Sequence, residues 1–287
     1  MKGSIDNIKE ENFDLIIIDG MNYCYKFFYI HAHLEDKKGN QTGLIYGMVN
    51  HIYLLRKTYR KSKIIIAWDR FPTKKREIDE IYKANRLKEK PGNFNKQRDN
   101  LQDLLSLYNV YQCYADGYEA DDVAAKIVKE NYLKNSILIM SEDSDWLQNL
   151  KFRSVKVFKN KRIYNRQEIE MEKGIDVEKM TMFKSIVGEK KENLLGIPRI
   201  PKKMVWEWAN TKTLDELFSL CKRVADPTRW AMAVIENEGM IRSNYKMKEL
   251  LTSGYNIKWI ERKKNKVKLL EELMKMDMNK MVERIEG

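Results

Sequence analysis

Three short apolar runs in this chain lead into carboxylates. Leu15-Ile16-Ile17-Ile18 ends in Asp19, and Ile64-Ile65-Ile66-Ala67-Trp68 ends in Asp69. Ile137-Leu138-Ile139-Met140-Ser141 leads to Asp143 and Asp145. A single Asp in that position is the ordinary cap of a helix that follows a strand. The same relation three times, with further acids nearby, points to a metal site, because clustered carboxylates repel one another unless cations hold them. Glu119-x-Asp121-Asp122 puts three more acids at a helix start, where the macrodipole suits one charge better than three. Glu189 and Glu192 are three apart and face the same way on a helical turn. Hard oxygen ligands of this kind suit Mg²⁺, with Mn²⁺ as a substitute. Their number suits two ions roughly 4 Å apart, the arrangement used for in-line phosphoryl displacement.

The elements that must position these acids can be read from the same pattern. Each β-branched, uninterrupted run reads as a buried parallel strand. Helices fall between them, at Asn22 and the aromatics after it, at 44–59, at 95–107 and at 123–130, with a further helix start at Asp143. Runs at 155–158 and 162–164 read as a last strand and a hairpin-like return. The fold class is therefore α/β, a mostly parallel doubly wound sheet, in which ligands bind outside the carboxyl ends of the strands. Residues 70–98 carry ten Lys or Arg against Glu77, Asp79, Glu80 and Glu89, with Pro72, Pro91 and Gly92 as punctuation, and read as an insertion outside the core. From Asp176 onward the pattern is all-helical, with helices at 180–187 and 202–208 around a tight turn at 196–201. The expected division is a core over 1–175 and a helical region over 176–287. The basic stretch from Lys258 to Lys268 reads first as a solvated helix face, with a binding surface as the other reading.

Composition narrows the function. A formal net charge of +12 beside so many clustered acids fits a protein that holds a polyanion on a positive surface and works on it with cations. The three cysteines, Cys24, Cys113 and Cys221, lie far apart and build no zinc framework, which suggests reduced thiols and an intracellular setting. With His31, His33 and His51 the only histidines, His-based hydrolysis is disfavoured. No signal peptide or membrane span is expected.

At this point the chain resembles the 5′-nuclease or flap endonuclease family, above all its bacteriophage members and the 5′-nuclease domains of bacterial DNA polymerase I. The resemblance rests on Ile18-Asp19-Gly20-x-Asn22, Asp69, Tyr82-Lys83-x-Asn85-Arg86, Tyr118-Glu119-Ala120-Asp121-Asp122, Ser141-x-Asp143-x-Asp145 and Gly188-Glu189-x-x-Glu192-Asn193 leading to Gly196-Ile197-Pro198. Each piece alone is weak, whereas their order and spacing are specific. Beyond about residue 220 the likeness is only that of generic helix.

The resemblance implies a PIN-like core, a helical arch at about 70–98 and a helix-hairpin-helix at about 180–210. It implies a first metal cluster of Asp19, Asp69, Glu119, Asp121 and Asp143, with Asp122 nearby, and a second of Asp145, Glu189 and Glu192. Lys83 and Arg86 would contact the scissile phosphate and stabilise developing charge. Tyr25 stands where relatives stack an aromatic on the terminal base pair, although core packing explains it equally well. Tyr82 fits either packing or DNA stacking. Arg199, Lys202 and Lys203 would grip duplex backbone. Relatives often bind a monovalent cation such as K⁺ at that hairpin, but Pro201 replaces a glycine there and removes an N–H donor. Relatives usually carry Asp where Glu189 and Glu192 stand.

The implied substrate is DNA with a 5′ flap or 5′ end, with an RNA–DNA hybrid as a further candidate. The implied protein is a monomer acting beside replication proteins in the cytoplasm of a bacterial or phage-infected cell. Two rivals stay open: a PIN-like ribonuclease, and a non-catalytic branched-DNA-binding protein of the same fold.

Overall fold

The computed structural model describes residues 11–84, 92–174, 176–209, 213–223 and 228–287. Its strands are β1 (Leu15–Asp19), β2 (Lys63–Ala67), β3 (Tyr111–Tyr114), β4 (Ile137–Met140), β5 (Val155–Lys159), β6 (Arg162–Tyr164) and β7 (Lys258–Ile260). Its helices begin with α1 (Gly20–Ile30), α2 (Gly43–Thr58), α3 (Thr73–Arg76), α4 (Phe94–Leu107) and α5 (Ala120–Asn131). They continue with α6 (Arg166–Lys173), α7 (Met180–Val187), α8 (Lys202–Trp208) and α9 (Leu214–Arg223). The last are α10 (Arg229–Glu236), α11 (Glu238–Lys248), α12 (Lys266–Lys275) and α13 (Asn279–Glu286). The chain divides into two compact units, one of residues 1–71, 88–165 and 252–287, the other of residues 72–87 and 166–251.

The first unit holds one sheet in the order β6-β5-β4-β1-β2-β3-β7. Its five inner strands run parallel, and β6 and β7 close the two edges antiparallel. The strand sequences explain the arrangement. Ile16, Ile17 and Ile18 are fully buried, so β1 is apolar on both faces, as a strand covered by helices on both sides must be. The chain winds from β1 to β2 and β3 on one side, then crosses to β4 and β5 on the other. β1 is therefore the topological switch point, the place where doubly wound sheets bind ligands. α1, α2, α4, α12 and α13 build one continuous core with the sheet, including Leu44, Met48, Leu101, Leu105, Leu269 and Met281.

The alternation of strand and helix matches the sequence expectation, but two local expectations need correction. The segment after β4 is not a regular α-helix from Asp143; it is a 3₁₀ helix over Asp145–Lys151. The chain beyond Asp176 is not all-helical either. β7 pairs with β3, aligning Gln112 with Ile260 and Tyr114 with Lys258. Three residues set among lysines give too short a run to show a period of two, and charge at an edge strand is what keeps such edges from pairing with other chains.

The second unit has its own core, built by Met182, Ile186, Ile197, Val205, Leu217, Phe218, Val234 and Ile241. α7 and α8 sit where the helix-hairpin-helix was expected. Between them Gly188 takes φ 73°, and Glu189 and Leu194 exchange backbone hydrogen bonds of 2.9 and 3.1 Å. A side chain on Gly196 would lie 2.0 Å from the carbonyl oxygen of Val187, so the chain can pass there only as glycine. The expected tight turn follows: Pro198 and Arg199 are its central residues, Arg199 has φ 60°, and the Ile200 N–H reaches the Ile197 carbonyl at 3.4 Å.

Candidate metal centre

Strand register gathers the acids of the first unit. Asp19 pairs with Ala67 across β1 and β2, and Ile18 pairs with Met140 across β1 and β4. Asp19, Asp69 and the Ser141–Asp145 segment therefore leave the sheet along one edge, at the carboxyl ends of three adjacent strands. Asp19 caps α1, its Oδ1 accepting from the Asn22 N–H at 3.0 Å. Its Oδ2 accepts from the Ser141 hydroxyl at 2.8 Å. The same hydroxyl oxygen accepts from the Asp143 N–H at 3.0 Å, and Asp143 Oδ1 accepts from the Asp145 N–H at 3.0 Å. A chain of hydrogen bonds thus runs from Asp19 through Ser141 and Asp143 to Asp145.

Asp69 is tied to the next group of acids. Its Oδ1 accepts from the Ala120 N–H, the first residue of α5, at 3.0 Å. Asp122 Oδ2 accepts from the Glu119 N–H at 3.3 Å, and Asp121 Oδ1 from the Asp122 N–H at 2.8 Å. Glu119, Asp121 and Asp122 each offer a carboxylate oxygen within 4.8 Å of the others. The Tyr255 hydroxyl donates to the Asp122 carbonyl at 2.8 Å and its ring stacks on Tyr118, which braces this helix start from behind.

The electrostatics fit a cation. Burial pushes the Asp19 carboxyl up to about 7, with Asp69 and then Asp143 adding repulsion, against the pull of its hydrogen bonds from Asn22 and Ser141. Asp19, Glu119 and Asp122 are buried, whereas Asp69 and Asp143 are exposed. The cluster thus has an anchored side and a solvent side, as a centre that must meet a substrate requires. A divalent ion would ease the repulsion from Asp69 and Asp143 that adds to burial in raising Asp19, so these residues fit a divalent cation. Of the groups that act here, Ser141 was visible only as a letter in a motif. Its role as the link between two aspartates is a matter of geometry.

The acids of the second unit are set quite differently. Glu192 is buried, and Lys83 Nζ lies 3.0 Å from its Oε1. Lys248 Nζ contacts Glu192 Oε2 and lies 2.6 Å from Glu189 Oε2, the latter an ion pair outside hydrogen-bond geometry. Lys184 Nζ stands 3.6 Å from Glu189 Oε2. Sequence reasoning missed Lys248 altogether, since it is the last residue of α11 in a region read as generic amphipathic helix. Its only signal was a lysine on the apolar side of that helix, next to Met247.

The residues expected to meet DNA fare unequally. Lys83 has φ 54° and its N–H donates to the Glu192 carbonyl at 2.9 Å, so its backbone as well as its ammonium is committed to that loop. Arg86 lies outside the described residues. Tyr82 is 1% exposed and packs with Leu194 and Met247, so its ring offers no face for stacking. Tyr25 stacks on Phe94 at 4.5 Å between ring centroids, which is packing on the core. Arg199, Lys202 and Lys203 are exposed, as backbone contacts need to be. Among the histidines, His51 is buried and held down to about 3 by burial, beside the Tyr23 ring.

Fold and acid placement together define an α/β protein with a cluster of acids, of a kind that can hold a metal ion, at the carboxyl edge of its sheet. Residues 14–174 match the family described as 5′-3′ exonuclease, N-terminal resolvase-like domain. A 5′-3′ exonuclease of Buchnera aphidicola is 32% identical over 195 residues, covering 66% of this chain and 68% of the relative. DNA polymerase I of Caldicellulosiruptor bescii is 25% identical over 294 residues, which is 94% of this chain and 33% of that protein. The bacteriophage T5 flap endonuclease, solved as a pseudo-enzyme-product complex with DNA and metal ions, superposes with a TM-score of 0.66 at 22% identity, covering 84% of this chain and 90% of that one. The chain belongs to the 5′-3′ exonuclease family. It spans about a third of the polymerase and about two thirds of the separate exonuclease.

Proposed function

We propose that the chain is a structure-specific 5′-nuclease that hydrolyses phosphodiester bonds in DNA at 5′ ends and 5′ flaps, leaving 5′-phosphate and 3′-hydroxyl ends. One observation carries the reading: Asp19, Asp69 and Asp143 converge at the carboxyl ends of three adjacent strands, with Asp19 linked through the Ser141 hydroxyl to the Asp143 N–H, and there burial and then repulsion from Asp69 and Asp143 raise the Asp19 carboxyl. A binding protein gains nothing from such repulsion, because it also repels phosphate. Asp19, Asp69 and Asp143, with Glu119, Asp121 and Asp122 beside them, would hold a divalent cation. Bound there, the ion would polarise the scissile phosphate and lower the pKa of the attacking water. Ser141 keeps Asp19 and Asp143 aligned for that task.

Residues 70–98 are read as the arch over a single strand, with Lys83 and Arg86 serving the scissile phosphate. For Lys83 that role means exchanging Glu192 for a phosphate oxygen. Arg199, Lys202 and Lys203 would position duplex through its backbone without reading sequence. No helix among the described residues is long and apolar enough to cross a membrane. The cytoplasm, a monomeric state and work beside replication proteins belong to the same proposal.

The test is cleavage of end-labelled 5′-flap and blunt duplexes in Mg²⁺, in Mn²⁺ and in EDTA, with RNA-flap and RNA–DNA hybrid substrates in parallel. Cutting of the DNA flap at its junction in Mg²⁺ and none in EDTA is the expected result. Retention of every DNA substrate would sink the proposal, and preference for RNA would favour a ribonuclease.

A further inference from the structure

The glutamate pair of the second unit has the charges and the closeness of a metal site, yet lysines crowd it. Glu189 and Glu192 face three ammonium groups, from Lys83, Lys184 and Lys248. Lys83 and Lys248 together engage both carboxylate oxygens of Glu192. Mg²⁺ demands near-octahedral oxygen ligands at about 2.0–2.1 Å and tolerates little displacement. It would have to enter where an ammonium already bridges the two acids.

That ammonium is not a surface lysine that happened to fold inward. The Lys248 side chain is 1% exposed. It ends α11, where the helix dipole favours a positive charge. Asn244, one turn earlier, donates to the carbonyls of Ser185 at 2.9 Å and Leu195 at 2.6 Å, which fixes this face of α11 against the loop that carries both glutamates. Lys83 is held by its backbone to the Glu192 carbonyl at 2.9 Å.

We infer that Lys248 is a built-in cation: its ammonium takes the place of a divalent ion between Glu189 and Glu192, and that pair binds no metal. The inference rests on the proposed nuclease reading, in which the acids of the first unit do bind one.

Mn²⁺ alone is the probe, counted by electron paramagnetic resonance of the free ion, with nuclease activity in Mg²⁺ followed separately on the same samples. Glu192→Gln should leave the number of bound Mn²⁺ ions unchanged, and Lys248→Met should add one. Loss of an ion in Glu192→Gln overturns the inference, as does a folded Lys248→Met protein that gains none. Should Lys248→Met fail to fold, crystals of the unaltered protein soaked in Mn²⁺ decide the matter. Anomalous signal confined to the first-unit acids supports the inference, and a peak at Glu189 and Glu192 refutes it. Absence of cleavage in the unaltered protein would strike the nuclease reading instead, whatever the ion count.

Discussion

Asp19 is the residue on which most depends, because it is buried, close to two other aspartates and placed at the switch point of the sheet. Its carboxyl is pushed up from 3.8 to about 7. A raised acid favours the folded state at low pH. Its contribution is complete below pH 4 and lost as pH rises toward 7. Stripped of divalent ions, the protein should therefore lose stability across that window, by an upper bound of ~4 kcal/mol at 1.36 kcal/mol per unit. Urea titrations at pH 4.5 and pH 7.5 in EDTA would show this, and Mg²⁺ should restore the difference. Asp19→Asn should flatten that pH dependence and lower cleavage by more than about 10²-fold. Ser141→Ala should fold normally yet weaken Mn²⁺ binding by roughly 10–100-fold, the usual effect of removing a group that orients a ligand; unchanged affinity would deny the hydroxyl its aligning role. At this scale the sequence disclosed the acids and their order. It could not disclose the partners, since Ser141 and Lys248 act through contacts that long stretches of chain separate.

Among elements, β1, β2 and β4 were legible because burial on both faces leaves an unbroken apolar run, and the acid after each run marks the end of the strand. The antiparallel β7 was not, because an edge strand of three residues among lysines has neither length nor period. The Gly188–Gly196 loop was seen as a motif, and the structure supplies the reason for its glycines. Gly196→Ala would force a methyl group against the Val187 carbonyl. It should destabilise the second unit by about 2 kcal/mol or more, read as an earlier thermal transition of that unit. A smaller effect would mean that the loop can yield. Ile17→Ala, at a fully buried position, should cost about 2–5 kcal/mol by leaving a cavity in the sheet. The two substitutions strike different units, so calorimetry can tell whether the units melt separately.

For the molecule as a whole, a net charge of +12 sits beside a cluster of acids, and each sign has its own task in the proposed nuclease. Binding to duplex DNA should weaken steeply with salt, because each phosphate contact releases counterions. Lys202→Ala and Lys203→Ala should each lower the slope of log affinity against log salt by about one, with little change in stability. An unaltered slope would remove those lysines from the DNA surface. The sequence showed this charge contrast at once, but not the order in which the chain assigns its length. β6 and β7 close opposite edges of one sheet, yet residues 166–251 separate them and belong to the other unit. During synthesis, every acid proposed to bind metal has left the ribosome before residue 258 is made, while the sheet still lacks its border. A nascent or shortened copy would present a raw β3 edge and an uncovered apolar face where α12 and α13 belong. Such a copy would be sticky rather than merely inactive, and a cell making this protein has reason to shelter it until the last strand docks.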